Sequence, residues 1–497
     1  MMNPKNLLLG GISLIVSAPI NGNKIPEEKP KKYPNIILIY ADDLGYGDIG
    51  CYGQKYIKTP NIDQMAKDGI KFTQIYTGAP VSAPARCCML TGKNSMHAWV
   101  RDNLEIKAQD EAGKGQMPIP DEEYTMPEML KKAGYKTALI GKWGLGPMSS
   151  PGAPNKQGFD FFYGYNDQNH AHNHYPSFLW RNDKMEPLKN NVLIPSKFDG
   201  IDPNDPAEYK KYNGTEYSLD LMADEAIKFI KENKDTPFFI DLSVVVPHKA
   251  LQVPDESLKI YDGVFNEKPY LGGAGYLPHP RPLSAYAAMI TRLDDKVGLI
   301  IKTLKELGLD MNTIVIFAGD NGPASGGGLD ARFFNSSGSF RGSKSQVYEG
   351  GIREPFIVRW PDKVKPGTVS DYIGAQYDLM ATFADITGQS IENTDGLSIL
   401  PTLTGNEKKQ KQHEFLYWEF PSGEGQVAIR IGDWKGVRRY RMQGSKWEVY
   451  NLKNDPKETT DLSSEHPDLI KRFDEIVKLR TPSQNPNWNF MDIIPPK

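Results

Sequence analysis

The chain has 497 residues, of which 39% are hydrophobic and 24% charged, and its formal net charge is −3 at pH 7. This composition is typical of a soluble globular protein, and with neither a basic excess nor a basic run it argues against a nucleic-acid partner. Because a single hydrophobic core rarely grows beyond about 250–300 residues, the length predicts one large domain and a smaller one.

The N-terminus has the pattern of a secretory signal peptide. Lys5 precedes a largely apolar stretch over residues 7–18, which is too short to span a membrane, and a polar segment over residues 21–32 follows it. We therefore predict a signal peptide over residues 1–20, then a disordered leader, a secreted and periplasmic protein, and no transmembrane segment. Three cysteines, two of them adjacent, allow at most one disulfide.

An apolar run that ends in two aspartates comes next. Residues 35–41 predict a strand buried on both faces of a parallel sheet, and this strand leads directly to Asp42 and Asp43. Adjacent carboxylates in such a place are costly unless a positive charge pairs with them. The carboxyl ends of strands are also where open α/β sheets bind ligands. The stretch alone is compatible with a ligand site or with a solvated Asp-Asp turn.

The chain then reaches the motif Ser-Ala-Pro-Ala-Arg over residues 82–86, followed by an apolar run that predicts a helix. Proline is tolerated in a first helical turn, so we expect Ser82 just before a helix N-terminus, where free N–H groups and the dipole favour an anion. Arg86, one turn later, adds a guanidinium suited to a tetrahedral oxyanion. An ordinary N-cap serine beside a surface arginine explains these five residues equally well.

Two further segments offer candidate pocket residues. A strand predicted over residues 136–140 ends near Lys142, beside glycines that indicate a tight turn. The segment 150–215 has no long periodic pattern but contains an alternating histidine triplet, which is compatible with a metal cluster or a substrate pocket. We favour the pocket. Its candidate lining residues are Trp143, His170, His172, Trp180 and Arg181.

Two more predicted buried strands end in polar residues. The strand over residues 237–246 is followed by His248, whose residue type suits proton transfer near neutral pH, although a hydrogen-bonded core histidine is an equal interpretation. The strand over residues 313–318 runs into Asp320 and Asn321. Together with the two aspartates of the first strand, these residues offer four hard oxygen ligands, which suit Ca²⁺ or Mg²⁺ rather than Zn²⁺.

The C-terminal part alternates differently from the rest of the chain. Short antiparallel strands and a final amphipathic helix are predicted at residues 414–420, 427–431, 434–439, 447–451 and 466–479. We therefore predict a large N-terminal domain over residues 33–400. A smaller α+β domain, an antiparallel sheet plus a helix, is predicted over residues 401–497.

The motif at residues 82–86, with Thr91-Gly92 after it, resembles the signature of the formylglycine-dependent, type I sulfatases. The first motif residue in that family is Cys or Ser; here it is Ser82, so the resemblance is to the serine-type branch, as in bacterial secreted carbohydrate sulfatases. The similarity extends from Pro34 to Leu479. It implies an α/β fold of the alkaline phosphatase superfamily, with a mixed central sheet flanked by helices and a smaller C-terminal domain.

The resemblance also implies a role for each candidate catalytic residue. A maturation enzyme would oxidise Ser82 to formylglycine, whose hydrate is the nucleophile. The other implied roles are Ca²⁺ binding by Asp42, Asp43, Asp320 and Asn321, stabilisation of the formylglycine by Arg86, sulfate contacts by Lys142 and Lys344, and protonation of the leaving sugar oxygen by His248. Cys87 and Cys88 follow the arginine and are not at the nucleophile position.

One position departs from the family pattern, because many sulfatases have a histidine after Lys-Trp, where this chain has Gly144. The resemblance is to exo-acting carbohydrate sulfatases, which implies 4-O- or 6-O-sulfated galactose or N-acetylgalactosamine as substrate. An alternative is a phosphomonoester or phosphonate hydrolase of the same superfamily. A second alternative is a non-enzymatic glycan-binding protein on a sulfatase scaffold.

Overall fold

The structure is a computed structural model that describes residues 33–195, 198, 201–273 and 275–492. The predicted signal peptide over residues 1–20 and the leader over residues 21–32 lie outside the described residues. Within the described part of the chain, none of the helices has the length and apolar character needed to cross a membrane. Cys51, Cys87 and Cys88 are free thiols.

The described residues form eighteen strands. In chain order they are β1 Asn35–Asp42, β2 Ile70–Phe72, β3 Ile75–Tyr76, β4 Glu105–Ile106, β5 Gly115–Gln116, β6 Lys136–Lys142, β7 Phe161–Tyr165, β8 Phe178–Arg181, β9 Lys184–Pro187, β10 Phe238–Pro247, β11 Thr313–Gly319, β12 Phe356–Arg359, β13 Thr368–Ser370, β14 Gly374–Ala375, β15 Leu416–Phe420, β16 Gln426–Ile431, β17 Trp434–Arg439 and β18 Trp447–Asn451.

The same residues form eleven α-helices. They are α1 Pro60–Asp68, α2 Ser82–Thr91, α3 Met126–Lys132, α4 Ala207–Lys210, α5 Ser218–Glu232, α6 Asp255–Leu258, α7 Pro282–Glu306, α8 Glu349–Ile352, α9 Asp378–Thr387, α10 Leu400–Leu403 and α11 Pro467–Val477.

A ten-stranded sheet, in the order β13-β2-β12-β11-β1-β10-β6-β7-β8-β9, forms the centre of the fold. Its strands β11, β1, β10, β6 and β7 run parallel, whereas β12 and β8 pair antiparallel with their neighbours and make the sheet mixed. Strand β1 is buried along its whole length, which a central parallel strand requires. The mixed sheet flanked by helices confirms the predicted fold class.

Successive side chains of β1 pack on opposite faces of the sheet, as the pleat requires. Ile36 and Leu38 belong to a core cluster that also contains residues of α2, α3 and α9. Ile37 and Ile39 belong to a second cluster with residues of α1, α5 and α7. The central parallel strands therefore lie between two helical layers, and their carboxyl ends meet at one edge, which we call the catalytic edge.

Helix α2 begins at Ser82, with Val81 as its N-cap residue in extended conformation. The prediction that Ser82 precedes the helix is therefore wrong by one position, because the change from extended to helical backbone occurs at Val81 rather than at Ser82. Pro84 lies within the first turn, where no intrahelical N–H donor is needed. All ten residues of α2 are buried.

The C-terminal part contains a second, antiparallel sheet of β15, β16, β17 and β18 in sequence order. Helix α11 places Phe473 and Ile476 in a third core cluster with residues of this sheet. Gly436 makes the contact possible, because a Cβ there would lie 2.4 Å from the Phe473 ring. The sheet and helix match the predicted C-terminal α+β unit, whereas the domain boundary at residue 400 stays a prediction.

Candidate active site

Ser82 lies at the catalytic edge, at the N-terminus of α2. Its Oγ donates a hydrogen bond to Asp42 Oδ1 at 2.9 Å and lies 3.3 Å from Asn321 Oδ1. The side chain is buried. Asp42 is the last residue of β1 and Asn321 lies just after β11, and these two strands are parallel neighbours. The fold therefore brings together three of the predicted site residues that lie far apart in the sequence.

Arg86 is buried one turn further along α2. Its Nη2 pairs with Asp320 Oδ2 at 3.1 Å, and its Nη1 donates to the Lys142 carbonyl at 3.1 Å. The guanidinium also lies 5.2 Å from the centre of the Tyr40 ring. Its burial excludes the interpretation as a surface arginine. Arg86 links the carboxyl ends of β6 and β11, so it positions the strand ends that carry the polar cluster.

Two lysines pair with the adjacent aspartates. Lys142 Nζ lies 2.6 Å from Asp42 Oδ2, and Lys344 Nζ lies 2.6 Å from Asp43 Oδ1. Burial alone would raise the pKa of Asp42, but the charge of Lys142 and the other cations nearby hold that pKa well below its usual range. The two aspartates therefore do not form a solvated turn; they are buried charges with cationic partners.

Asp42, Asp43, Asp320 and Asn321, the four predicted metal ligands, converge at this edge, and none is more than 1% exposed. Asn321 Nδ2 donates to Asp43 Oδ1 at 2.8 Å, and the Asp43 amide donates to Asp320 Oδ1 at 3.0 Å. Burial, followed by the charge of Asp42, raises the pKa of Asp320 to about 7.

These residues fit a hard divalent cation. Asp43 Oδ2 is buried and has no hydrogen-bond partner among the described residues. Three carboxylates and an amide oxygen make an all-oxygen donor set, which suits Ca²⁺. Oxygens of Asp42 and Asp43 also lie within 4.8 Å of a ring nitrogen of His248, a group that the sequence did not assign to the metal.

His248 is buried beside the aspartates. Its Nδ1 lies 2.5 Å from the Lys249 carbonyl, which can only accept, so Nδ1 carries the proton and Nε2 faces Asp43 Oδ2 at 3.5 Å. The His172 ring stacks on it, with centroids 4.9 Å apart. Burial, followed by the charge of Lys344, lowers the pKa of His248 well below its usual range. Burial and the nearby lysine therefore both favour the neutral imidazole.

The structure does not bring every predicted pocket residue to this site. Arg181 pairs with Glu186 and Glu225, and Trp180 is 5% exposed within the first core cluster. Their strand, β8, lies four positions from β1 in the sheet, which is about 19 Å at about 4.8 Å per strand. The prediction that they line the pocket fails because both side chains are used within the outer part of the sheet.

His170 and Trp143 are also used elsewhere. The His170 ring lies against Tyr165 and Phe178, with centroids 5.1 and 4.4 Å apart. Trp143 is 1% exposed, and its ring nitrogen donates to the Gly152 carbonyl at 2.7 Å. Of the predicted pocket residues, His172 is the one that the described structure places against the catalytic cluster.

Two residues beside His248 and His172 were not predicted from the sequence as site residues. They are Lys249 and Tyr276. Lys249 Nζ donates to the Ser325 carbonyl at 2.8 Å and lies 4.4 Å from the centre of the Tyr276 ring. The Tyr276 ring lies 5.4 Å from that of His172. The position of Lys249 next to His248 was an available signal, whereas Tyr276 lies in a loop with no pattern to single it out.

Gln168 fills the space beside Gly144. A Cβ at Gly144 would lie 2.3 Å from Gln168 Nε2, and the glycine has φ +82°, in the left-handed region. Gln168 is 6% exposed, and its Nε2 has no hydrogen-bond partner among the described residues. The chain therefore has an unpaired amide donor where it departs from the family's usual histidine.

With this geometry in place, comparisons with known proteins identify the family. A family model described as Sulfatase matches residues 34–389, and one described as N-sulphoglucosamine sulphohydrolase, C-terminal, matches residues 340–479. An N-acetylgalactosamine-6-O-sulfatase of Bacteroides thetaiotaomicron is 29% identical, with 95% of this chain and 97% of that protein covered. Human arylsulfatase A is 31% identical, with 83% of this chain and 76% of that protein covered.

Solved structures with similar folds were also found. The crystal structure of Ps i-CgsB in complex with k-i-k-neocarrahexaose has a TM-score of 0.75 and 25% identity, and the match covers 93% of this chain and 98% of that one. A phosphonate monoester hydrolase of Agrobacterium radiobacter, at 20% identity and a TM-score of 0.62 over 90% of this chain and 95% of that one, shares the fold. The chain belongs to the sulfatase family and is a sulfuric ester hydrolase.

Proposed function

We propose that the protein is an exo-acting carbohydrate sulfatase that removes 4-O- or 6-O-sulfate from galactose or N-acetylgalactosamine. The observation that carries the proposal is the contact of Ser82 with Asp42 and Asn321, beside two lysines that pair with the same aspartate cluster. The names of relatives support the sugar, since these include N-acetylgalactosamine-6-sulfatases of bacterial and mammalian origin.

Ser82 is the proposed nucleophile position, in the oxidised form made by a maturation enzyme. The formylglycine hydrate would supply one hydroxyl to attack sulfur and a second hydroxyl that later expels sulfate. Asp42 Oδ1 already accepts the hydrogen bond of the Ser82 hydroxyl, so the same carboxylate would orient the attacking group. Cys87 lies beyond Arg86 in the motif, and burial raises the pKa of its thiol to about 12, which disfavours a thiolate nucleophile there.

Asp42, Asp43, Asp320 and Asn321 would hold Ca²⁺. The ion would supply positive charge that polarises the sulfuryl oxygens. Lys142 and Lys344 approach the same oxygens from the protein side, each already within 2.6 Å of one of the two adjacent aspartates. Fixed cations in a buried site stabilise charge on a transferring group without reorganisation, which is the main electrostatic contribution expected here.

His248 is the proposed general acid for the leaving sugar oxygen. Its Nδ1 is engaged by the Lys249 carbonyl, which leaves Nε2 as the atom that exchanges a proton. Burial and Lys344 keep the pKa of His248 low in the free enzyme. A bound sulfate ester brings negative charge between the two lysines and the histidine, and this charge raises the pKa of His248, so that Nε2 can carry the proton.

We further propose that the protein is secreted to the periplasm. The proposal rests on the signal-peptide pattern at residues 1–20. Cleavage near residue 20, read as the N-terminal mass of the protein recovered from a periplasmic extract, tests it; an uncleaved cytoplasmic form would contradict it.

The experiment that tests the function is sulfate release from 4-O- and 6-O-sulfated galactose and N-acetylgalactosamine, with matched phosphate esters beside them. Peptide mass at Ser82 establishes the modified fraction. We expect release from one sulfate position and little from the phosphates. No release from any sulfated sugar, with Ser82 confirmed as formylglycine, would reject the substrate. Faster hydrolysis of the phosphate esters would contradict the proposed specificity.

A further inference from the structure

A polar cavity of about 430 Å³ lies beside the catalytic edge, outside the catalytic cluster. Its volume falls within the range of small-molecule sites, about 300–1,000 Å³. The residues that line it and bear on its chemistry are Ser325, Arg332, Asn335, Phe340, Ser343 and Gln346. We call it the Arg332 cavity.

Several structural links place the Arg332 cavity next to the catalytic cluster. Ser325 accepts, through its carbonyl, the hydrogen bond of Lys249, the residue after His248. Ser343 immediately precedes Lys344, whose ammonium pairs with Asp43. All the lining segments follow β11 in the chain, so they begin from the same edge of the sheet as Asp320.

A further link is the contact of the cavity loop with the turn after Asp43. The Gly47 amide donates to the Ser336 carbonyl at 2.7 Å. A Cβ at Gly47 would lie 2.2 Å from the Asn335 carbonyl oxygen, so only glycine lets the two backbones approach this closely. The loop that carries Arg332 and Asn335 is therefore held against the segment that carries the catalytic aspartates.

The chemistry of the lining suits an anionic sugar. Arg332 is exposed and its guanidinium has no ion-pair or hydrogen-bond partner among the described residues. The described residues that line the cavity include no carboxylate. The side chains of Ser325, Asn335 and Ser343 also make no hydrogen bond to protein within the described part of the chain, so they are free to bind hydroxyl groups.

We propose that the Arg332 cavity binds the second sugar of the substrate, and that Arg332 recognises a sulfate or carboxylate on that sugar. The inference rests on the proposed function and deepens it, since it makes the substrate an oligosaccharide with a second anionic group. Arginine suits this role because its planar guanidinium forms two parallel hydrogen bonds to a sulfate or carboxylate.

The test compares three sulfate donors: 6-O-sulfated N-acetylgalactosamine alone, the same sugar linked to neutral galactose, and the same sugar linked to a galactose that carries a second sulfate. A fourth donor, with a uronate as the second sugar, separates carboxylate from sulfate. The measured quantity is the ratio of kcat/KM for the disulfated disaccharide to that for the monosulfated disaccharide, whose galactose is neutral. We compare the unchanged protein with Arg332→Gln, Arg332→Lys and a control, Lys302→Gln, on the exposed side of α7.

We expect the unchanged protein to prefer the disulfated disaccharide by about 10-fold or more, the usual effect of one charge-assisted hydrogen-bonded pair. Arg332→Gln should remove most of this preference, mainly through KM. Arg332→Lys should keep part of it, and Lys302→Gln should keep all of it. An unchanged ratio in Arg332→Gln overturns the proposal. So does an equal loss on the monosaccharide, because Arg332 would then act at the reacting sulfate.

Binding separates this proposal from the proposed function. If no sugar releases sulfate, calorimetric titration of Ser82→Ala with the monosulfated and disulfated disaccharides still reports on the cavity. Tighter binding of the disulfated disaccharide that is lost in the Ser82→Ala/Arg332→Gln double variant supports an anionic-sugar site independently of turnover. Equal or undetectable binding of the two disaccharides overturns it.

Discussion

The protein buries charged side chains in two regions, and these side chains have different partners in the two regions. At the junction between α8 and the C-terminal sheet, Lys435 lies 2.9 Å from both Glu349 and Glu458, and these three side chains are fully buried. At the catalytic edge, by contrast, Asp43 Oδ2 and Arg86 Nε have no hydrogen-bond partner among the described residues. The two glutamates of the junction share one lysine, whereas each of the two aspartates beside Ser82 has its own lysine and Asp43 keeps one oxygen available for a ligand.

Two histidines show the same contrast. His413 lies 2.9 Å from Asp378 Oδ1; burial alone would lower its pKa, but Asp378 raises the pKa overall. His248 also faces an aspartate, yet burial and then Lys344 lower its pKa. Burial is the largest cause at His248, and the charges of Lys344 and Lys142 add to it, whereas at His413 the charge of Asp378 outweighs burial. The lysines beside His248 are cations that an anionic substrate could contact.

The largest effect on activity is expected from Ser82→Ala. Loss of the nucleophile should lower kcat by about 10³-fold or more on any sulfate ester, while the melting temperature stays nearly unchanged. Sulfate release and thermal unfolding measure the two quantities. Ser398→Ala, far from the cluster in sequence and partly exposed, is the control for a lost hydroxyl. Retained turnover would contradict the role of Ser82.

Lys435→Met should destabilise the junction between α8 and the C-terminal sheet. The substitution leaves two buried carboxylates without their shared cation, which costs about 3–5 kcal/mol of unfolding free energy and should lower the melting temperature by several degrees. Lys446→Met, an exposed lysine just before β18, is the matched control and should have little effect. Equal melting temperatures for the two variants would mean that the junction does not depend on this ion pair.

Asp320→Asn tests whether the carboxylates at the catalytic edge bind a metal ion. Removing one carboxylate charge from the proposed ligand set should weaken Ca²⁺ binding by about 10-fold or more, measured by calorimetry. Asp310 lies just before the opposite end of the same strand and pairs with Arg359, so Asp310→Asn is the control and should bind Ca²⁺ as the unchanged protein does. Unchanged affinity in Asp320→Asn would show that the metal site is wrongly assigned.

The smallest effect is the pH dependence of the His413–Asp378 pair. Because the pKa of His413 is raised in the folded protein, the folded state binds more protons, and stability falls as pH rises. The contribution is fully present below the unfolded pKa of about 6.5 and is lost as pH passes the folded value. His413→Gln should flatten the melting temperature in this range, whereas His466→Gln, beside Trp434, should not. An unchanged slope in His413→Gln would contradict the assignment.

The strands and the residues at their ends were predictable because they depend on local patterns. A continuous apolar run such as residues 35–41 can be buried on both faces only in a central strand. The carboxyl ends of parallel strands share an edge, so Asp42, His248 and Asp320 could be expected together. The lining of the pocket was not predictable in this way. Trp180 and Arg181 have the residue types of a binding site, but the sheet order places them four strands from β1.

By itself, the sequence determined the fold class, the family signature around Ser82 and the residue types of the catalytic edge, because each depends on short motifs or on periodicity. The tertiary structure alone decided which side chains meet: that Lys142 and Lys344 divide the two aspartates between them, that Gln168 fills the space beside Gly144, and that the Arg332 cavity adjoins the catalytic edge. Contacts between residues distant in the chain follow from sheet order and loop packing, which no local pattern encodes.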